Sequence, residues 1–153
     1  MGQHSFIMLK PDAMERLLEE EILAHFKKAG ITPIRQKTVV VDEALILKHY
    51  ADVIARVPIP DFKDRILSAF VGKEVKCFEM VSPLETTIED IRTLLGPTDP
   101  VKADKTTLRG KYGMDSMEKS SQEKRMLMNL VHASDSVESA QAEIKLWFHE
   151  KNG

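Results

Sequence analysis

Residues 5–12, Ser-Phe-Ile-Met-Leu-Lys-Pro-Asp, contain a short apolar run that stops abruptly at a proline. Ser5–Leu9 is typical of a buried strand, and Asp12 is placed to cap a helix behind it. From Ala13 to Ala29 apolar side chains recur at helical spacing, and Gly30 offers a C-cap. The stretch therefore predicts a strand followed by one long helix, which is the first half of a crossover unit.

The rest of the chain alternates between the same two patterns. Strands are predicted at Ile31–Val41, Glu74–Val81 and Asn129–Val131, and helices at Asp42–Ala55, Asp61–Phe70, Thr86–Leu95 and after Asp135. Gly96–Gly113 has no apolar period and is predicted to be a loop. Asp135 and Glu138 have the spacing of a capping box at the start of the last helix.

This order of elements favours one α+β fold. Two βα units that cannot pair locally imply a sheet joined by crossovers, with helices packed on one face. The arrangement that fits best is an α/β sandwich: a ferredoxin-like βαββαβ antiparallel sheet with an inserted helical pair and a C-terminal helix. A length of 153 residues without internal repeats predicts one domain over residues 1–153.

Composition argues against several classes of function. The formal net charge is −2, so a broad basic surface for nucleic acid is not expected. No apolar run approaches the roughly 18 residues of a membrane span, and the N-terminus lacks the pattern of a signal peptide. Cys77 is the single cysteine and is predicted to be a buried, reduced thiol. These features predict a cytoplasmic protein with neither a membrane nor a nucleic-acid partner.

Among the five histidines, His132 has the most suggestive position. It precedes Ala-Ser-Asp-Ser, a predicted helix start whose free N–H groups would attract phosphate. An imidazole held there could attack phosphorus and become a phosphohistidine. The alternative is a structural histidine at a strand end, and position alone does not separate the two. No metal site is predicted, because no second ligand lies at metal-binding spacing from His4, His25, His49 or His149.

Three cations lie at the end of a predicted element or in the loop between two of them. Lys10 follows the first strand, Arg92 lies in the last turn of a helix, and Arg109 lies in the polar loop. Arginine forks match the planar oxygen edges of phosphates, although each cation taken singly is more often a solvated surface charge. The chain has neither a Walker loop nor a Gly-x-Gly-x-x-Gly motif. The residues by themselves indicate an anion site without identifying the anion.

Four ordered segments together resemble the nucleoside diphosphate kinases over nearly the whole chain. They are Phe6–Ala13, Leu95–Pro100, Leu108–Gly110 and Asn129–Ser136, and the match continues through Glu138–Ile144. The Asn-x-x-His-x-Ser-Asp element is highly specific for this family, and the Lys-Pro-Asp-Ala element is moderately so. The family's fold is the ferredoxin-like arrangement favoured above.

The resemblance implies a reaction and a role for individual residues. The reaction is a ping-pong transfer of the γ-phosphate from a nucleoside triphosphate to a nucleoside diphosphate, through a phosphohistidine that would here be His132. Glu143 would orient the ring of His132, and Ser134 would join that hydrogen-bond arrangement. The nucleotide would be bound by Lys10, Tyr50, Arg92, Thr98, Arg109 and Asn129.

The resemblance also implies a cofactor and an assembly. Mg²⁺ would be held mainly by the oxygens of the nucleotide, which agrees with the lack of a carboxylate cluster in the sequence. Family members usually form dimers that assemble further, so a homo-oligomer built from dimers is expected.

The chain departs from the family pattern in two places. Val57-Pro58-Ile59-Pro60 stands where the family usually has an aromatic residue that stacks on the base, so stacking would be weaker or would fall to Phe62. The stretch from Arg109 to Asn129 is longer than is usual in the family. It contains a polar segment, Met117–Arg125, that is predicted to be either a short exposed helix or an extended loop.

Two functions of other classes stay open on the sequence. One is a nucleotide-binding or partner-binding module that kept the fold and has weakened turnover. The other is an RNA-binding domain of the same fold, which is set aside because the third strand offers only Phe78 as a stacking residue and the net charge has the wrong sign.

Overall fold

A four-stranded antiparallel sheet forms the centre of the computed structural model, which describes residues 2–148. Its strands are β1 (His4–Leu9), β2 (Thr32–Val40), β3 (Glu74–Val81) and β4 (Val131–Ala133), in the spatial order β2-β3-β1-β4. β4 pairs with the end of β1 through Met8 and His132. The antiparallel α+β sheet predicted from the order of elements is confirmed.

The helices lie between and after these strands. Within the described residues they are α1 (Pro11–Glu15), α2 (Glu19–Lys28), α3 (Glu43–His49), α4 (Ala51–Arg56), α5 (Phe62–Phe70), α6 (Thr87–Leu95), α7 (Leu108–Tyr112), α8 (Met117–Gln122) and α9 (Val137–Phe148). A 3₁₀ turn occupies Pro100–Lys102. None of these helices is long and apolar enough to cross a membrane.

The sheet is covered on both faces, so the prediction of helices on one face was wrong. Successive side chains of a strand point to opposite faces. Ile7 and Leu9 pack in a core cluster that includes side chains of α2 and α6, whereas Phe6 and Met8 pack in a second cluster with side chains of α3, α5 and α9. Because Phe6–Leu9 are buried on both faces of the sheet, they form a continuous apolar run in the sequence.

The long helix predicted after β1 is interrupted. α1 ends at Glu15. Leu17 then has a φ of 56° and a side chain that is 83% exposed, and the next helix, α2, begins after this break. The N-cap of α1 is Lys10, so the prediction that Asp12 caps this helix was also wrong. Asp12 instead accepts a hydrogen bond from the backbone N–H of Leu130, which fastens the loop before β4 to the start of α1.

The helix predicted at Asp42–Ala55 is confirmed at its start and divided in the middle. The Asp42 carboxylate accepts a hydrogen bond from the backbone N–H of Leu45, which is the N-cap arrangement expected. α3 then ends at His49, and α4 begins after Tyr50. The division matters because both His49 and Tyr50 lie in the wall of the cavity described below.

The segment Gly96–Gly113, predicted to be a loop, contains a short helix. The hydroxyl of Thr107 accepts a hydrogen bond from Gly110 N–H and caps α7. A polar N-cap can start one helical turn without any apolar period, and Leu108 is the one buried residue of α7. The polar segment, for which two conformations were open, contains the short helix α8.

The last strand and helix are shifted from their predicted positions. The strand predicted at Asn129–Val131 is observed at Val131–Ala133, so His132 lies within β4 and not at the mouth of a helix. α9 begins at Val137, and its capping oxygen is that of Ser136, which accepts from Ser139 N–H. The capping box predicted at Asp135 was therefore wrong by one residue.

Candidate active site

His132 is held by a carboxylate from the neighbouring helix. Its Nε2 lies 2.8 Å from Oε1 of Glu143, and the Ser134 hydroxyl donates to the same oxygen at 2.7 Å. An ionised carboxylate can only accept hydrogen bonds, so Nε2 carries the proton of the neutral ring. Nδ1 of His132 is then the nitrogen with a free lone pair.

The backbone in front of His132 is strained. Leu130 has a φ of 75°, and the N–H of Val131 donates to the carbonyl of Asn129 at 2.9 Å. These features describe a γ-turn of the rare kind with positive φ, which costs free energy and persists where surrounding contacts determine it. Here Leu130 is buried, its N–H is bound by Asp12, and its carbonyl accepts from the N–H of Lys10. The turn brings Asn129 and His132 to the same side of the sheet end.

Lys10 is a buried cation on this side. Its ammonium donates to the Asn129 side-chain oxygen at 2.8 Å and to the Leu127 carbonyl at 3.1 Å. Burial lowers the pKa of Lys10 to about 8, because the charged form loses its hydration, while the charge of Asp12 partly opposes the shift. An ammonium in this state gains from the approach of a polyanion.

Arg109 ties three segments of backbone together. Its guanidinium donates to the carbonyls of Asn129 at 3.1 Å, Gly96 at 3.0 Å and Val131 at 2.6 Å. A guanidinium has five N–H groups, so two remain for a ligand. Burial and the nearby charge of Arg92 lower the pKa of Arg109 to about 10, which still leaves it charged at neutral pH. Gly96 ends α6 with a φ of 87°, a conformation that favours glycine.

The other predicted ligand residues surround this group. Arg92 is exposed and reaches the Ala133 carbonyl at 3.5 Å, and the Asn129 amide donates to the Thr98 carbonyl at 3.1 Å. Burial raises the pKa of the Tyr50 phenol far above its usual value, so the hydroxyl keeps its proton and can donate it in a hydrogen bond.

These side chains converge on one cavity of about 450 Å³, here called the His132 cavity. Its walls include the predicted residues Lys10, Tyr50, Arg92, Thr98, Arg109, Asn129, His132 and Glu143. Ser134 does not line the cavity and acts behind it through Glu143. The volume is within the range that small-molecule sites occupy.

His49 lines the same cavity and was missed by the sequence argument. Its ring centroid lies 4.5 Å from that of His132, with the two planes at 77°. Its Nδ1 accepts from the indole N–H of Trp147 at 2.9 Å. The only signal in the sequence was its position directly before Tyr50, to which the resemblance had assigned a role.

His49, His132 and Glu143 each offer a possible metal-ligand atom, and these atoms lie within 4.8 Å of one another. The atoms already have partners, however. His132 Nε2 is hydrogen-bonded to Glu143, and the indole of Trp147 occupies His49 Nδ1. The arrangement is a hydrogen-bonded pair beside a second imidazole, and it favours nucleophilic chemistry at His132 over metal binding.

The chain beyond the polar segment also contributes to the cavity. Met126 and Leu127 line it, as does Val53 on α4. They are positioned by Asp115, which receives two hydrogen bonds from Arg125 and one from the N–H of Met128. Arg125 holds the pKa of Asp115 at about 2. By contrast, Phe62 packs against the core cluster of α3, α5 and α9 and is not in the cavity wall formed by the described residues.

The chain is similar to known proteins over nearly its whole length. The model of the nucleoside diphosphate kinase family matches residues 3–152. A nucleoside diphosphate kinase of Methanosphaera stadtmanae is 41% identical over 150 residues, which are 98% of this chain and 88% of the relative.

Two solved structures have the same fold. The nucleoside diphosphate kinase of Borrelia burgdorferi with bound vanadate and ADP, a transition-state mimic, superposes with a TM-score of 0.90 at 28% identity and covers 97% of this chain and 88% of its own. The enzyme of Pyrobaculum aerophilum superposes with a TM-score of 0.83 at 30% identity. The match covers 98% of this chain and 97% of the Pyrobaculum chain.

Proposed function

The chain belongs to the nucleoside diphosphate kinase family and is a phosphotransferase that moves the γ-phosphate of a nucleoside triphosphate to a nucleoside diphosphate; we propose that His132 carries the phosphoryl group between the two half-reactions. The observation that supports this role is the hydrogen bond from Nε2 of His132 to Glu143, which leaves the lone pair of Nδ1 free. No other histidine of the described residues has a carboxylate partner inside the His132 cavity.

In the proposed first half-reaction, Nδ1 of His132 attacks the γ-phosphorus. The bond from phosphorus to the oxygen that bridges the β- and γ-phosphates breaks, and the nucleoside diphosphate leaves with that electron pair. The proton on Nε2 stays in place, and the carboxylate of Glu143 offsets the positive charge that the ring gains. The second half-reaction reverses these steps with a different nucleoside diphosphate.

The cations would position the phosphates and neutralise their charge. Phosphoryl transfer depends mainly on in-line positioning and on charge stabilisation. Lys10 and the two unused N–H groups of Arg109 are held by the backbone before a ligand arrives, so little reorganisation is needed at the moment of reaction. Arg92 is more exposed and would contact the phosphates nearer to solvent. Tyr50, Thr98 and Asn129 would complete the binding of the phosphates and ribose.

We propose that Mg²⁺ is held mainly through the phosphates of the nucleotide. Mg²⁺ prefers oxygen ligands and keeps several waters. Of the carboxylates in the cavity wall, Glu143 is bound to His132 and Ser134, and Asp135 accepts a hydrogen bond from the hydroxyl of Ser139. Asp52 is the remaining one among the described residues, so this wall fits a cation that arrives on its nucleotide. When bound, Mg²⁺ would screen the charge of the β- and γ-phosphates.

The alternative of a binding module with weakened turnover is not favoured by any contact in the cavity. Its support was the altered base-stacking segment and the polar segment. Val53, Met126 and Leu127 contribute an aliphatic part of the cavity wall. Because such a wall offers no specific hydrogen bonds to a base, we expect broad tolerance of the base rather than loss of transfer.

The expected assembly is a homo-oligomer whose building unit is a dimer. β2 lies at one end of the strand order and pairs only with β3 among the described strands, and it exposes Ile34 and Val40. A long edge strand with exposed apolar side chains is a template for pairing with another chain. We therefore propose that two copies of this one-domain chain, residues 1–153, pair along β2.

We propose that the enzyme works in the cytoplasm. Its substrates are nucleotides, and Cys77 is a free, buried thiol whose pKa is raised to about 12 by burial. A thiol in this state is not a redox group and is typical of a reducing compartment.

A two-stage transfer experiment tests the proposed function. The enzyme is incubated with GTP and Mg²⁺, freed of nucleotide by gel filtration, and then given ADP alone. We expect ATP to form in about one equivalent per chain, since the phosphoryl group waits on the protein. The variant His132→Asn should form none. Transfer that occurs only when both nucleotides are present together would contradict the phosphoenzyme.

A further inference from the structure

His49 is a second imidazole at the centre of the His132 cavity, and the proposed reaction leaves it without a task. It is the last residue of α3, where the chain turns towards α4. A ring nitrogen of His49 lies within 4.8 Å of a ring nitrogen of His132. The two side chains are therefore close enough to share a ligand.

The protonation state of His49 follows from its partner. The indole of Trp147 can only donate a hydrogen bond, and it donates to Nδ1 of His49. Nδ1 must therefore present a lone pair, so the proton of the neutral ring is on Nε2. Burial lowers the pKa of His49 well below its usual value, and the neighbouring His132 and Lys10 lower it further. The ring is a neutral donor at physiological pH.

This donor has no acceptor in the resting protein. Nε2 of His49 is shielded from solvent and makes no hydrogen bond. A buried donor without a partner destabilises the protein, and native proteins contain few of them. Such a group at an active site is explained most simply if its acceptor arrives with the substrate.

Phosphorylation of His132 would bring that acceptor. Glu143 occupies Nε2 of His132, so the phosphoryl group would be attached to Nδ1. It would add three oxygens with strong acceptor character to the cavity that both rings line.

We propose that His49 donates a hydrogen bond from Nε2 to an oxygen of the phosphoryl group on His132, and that Trp147 holds the tautomer that makes this possible. The inference rests on the proposed phosphohistidine. His49 exchanges no proton and forms no covalent bond: it stabilises the phosphoenzyme and the transition state that leads to it. It is a catalytic residue in the sense that it touches the transferred group.

The test compares two substitutions of His49 with a matched substitution elsewhere. His49→Phe keeps a planar ring of similar size and removes both nitrogens. His49→Gln keeps an oxygen that can accept from Trp147 and an amide that can donate to the phosphoryl group. His25→Phe makes the same change on α2, outside the walls of the His132 cavity. Each variant is phosphorylated with ATP and Mg²⁺, and the equilibrium between phosphoenzyme plus ADP and free enzyme plus ATP is measured.

We expect His49→Phe to shift this equilibrium away from the phosphoenzyme by about 10- to 100-fold, the scale of one hydrogen bond to a charged group. His49→Gln should recover most of the loss, and His25→Phe should match the wild type. A purely structural role for His49 would lower the melting temperature and leave the equilibrium constant unchanged, which would overturn the proposal. If the wild type forms no phosphoenzyme at all, the proposed function fails together with it.

A spectroscopic measurement covers the case in which His49→Phe does not fold. In ¹⁵N-labelled wild-type protein, His49 should show the tautomer with the proton on Nε2 in the resting state. The Nε2–H proton should move downfield when His132 is phosphorylated, because it gains a charged acceptor. A proton on Nδ1, or an Nε2–H signal that does not change on phosphorylation, would overturn the proposal.

Discussion

The β4–α9 side of the His132 cavity and its α3 side each present an imidazole, and the two rings have opposite kinds of partner. On the β4–α9 side, His132 donates to the carboxylate of Glu143. On the α3 side, His49 accepts from the indole of Trp147. The rings are 4.5 Å apart, so they share one environment. Their chemistry differs because of the single group behind each ring.

This difference shows how one residue type can supply both a nucleophile and a donor. A carboxylate behind the ring leaves a lone pair facing the substrate and offsets positive charge. An indole behind the ring leaves an N–H facing the substrate and offers no charge. The chemical role of each histidine is therefore indicated less by its position in the cavity than by the hydrogen bond on the far side of its ring.

Glu143→Ala should have the largest effect on the chemistry of His132. Without the carboxylate, His132 loses its fixed tautomer and the partner for its developing charge. We expect the rate of phosphoenzyme formation to fall on the order of 10³-fold in rapid-quench measurements with labelled ATP. Glu143→Gln, whose amide oxygen can still accept from Nε2, should lose less. Equal rates in all three proteins would remove Glu143 from the mechanism.

Arg109→Ala tests whether charge matters apart from ring orientation. The substitution removes the two free N–H groups and also releases the carbonyls of Gly96, Asn129 and Val131. We expect transfer to fall by about 10²-fold or more, with a lower melting temperature. Arg109→Lys keeps a charge but not the fork, so it should recover only part of the rate. Unchanged steady-state kinetics in Arg109→Ala would exclude this side chain from the site.

The pH dependence of the reaction should report on Lys10. Because its pKa is about 8 in the folded protein, the ammonium loses its charge above that pH, and kcat/KM should fall by up to about tenfold per pH unit. Lys10→Arg keeps its charge and should not show this decline. The same shift should make the free energy of unfolding rise between about pH 8 and pH 10.5, since the unfolded chain binds a proton that the folded chain has lost. A wild-type kcat/KM that stays level to about pH 9 would contradict the assignment.

Deletion of residues 117–124 should have the smallest effect. α8 and the rest of this stretch do not line the His132 cavity, whereas Met126 and Leu127 do. We expect acid-labile labelling by ATP to persist within about tenfold of the wild-type rate, with a larger change in KM. If labelling disappears while circular dichroism shows a folded protein, residues 117–124 belong to the active site. The His132 cavity would then have a third functional side, in addition to the β4–α9 side and the α3 side.

Local sequence patterns predicted those strands and helix ends that depend on residues close together in the chain. Glu74–Val81 was predicted with its observed bounds, and the helix predicted to begin at Asp42 is capped there. The C-cap of α2 is Ala29, one residue before the predicted Gly30, which follows with a φ of 80°. The pairing of His132 with Glu143 joins residues only 11 apart on adjacent elements, and the resemblance was enough to predict it.

Contacts between distant segments could not be predicted in this way. The break at Leu17 has no proline or glycine to mark it. The shift of β4 depends on the turn at Leu130, which is set by a hydrogen bond to Asp12, 118 residues away. His49 acquires its tautomer from Trp147, 98 residues away. These features arise from tertiary packing, which overrides local preference.

The most direct test of the central claim is to locate the phosphate. The enzyme is labelled with γ-labelled ATP, digested under alkaline conditions, and mapped by mass spectrometry with fragmentation that preserves the phosphorus–nitrogen bond. The proposed mechanism predicts an acid-labile phosphate on His132. A phosphate on His49, an acid-stable phosphate on Ser134, or transfer to ADP without any labelled protein would contradict it.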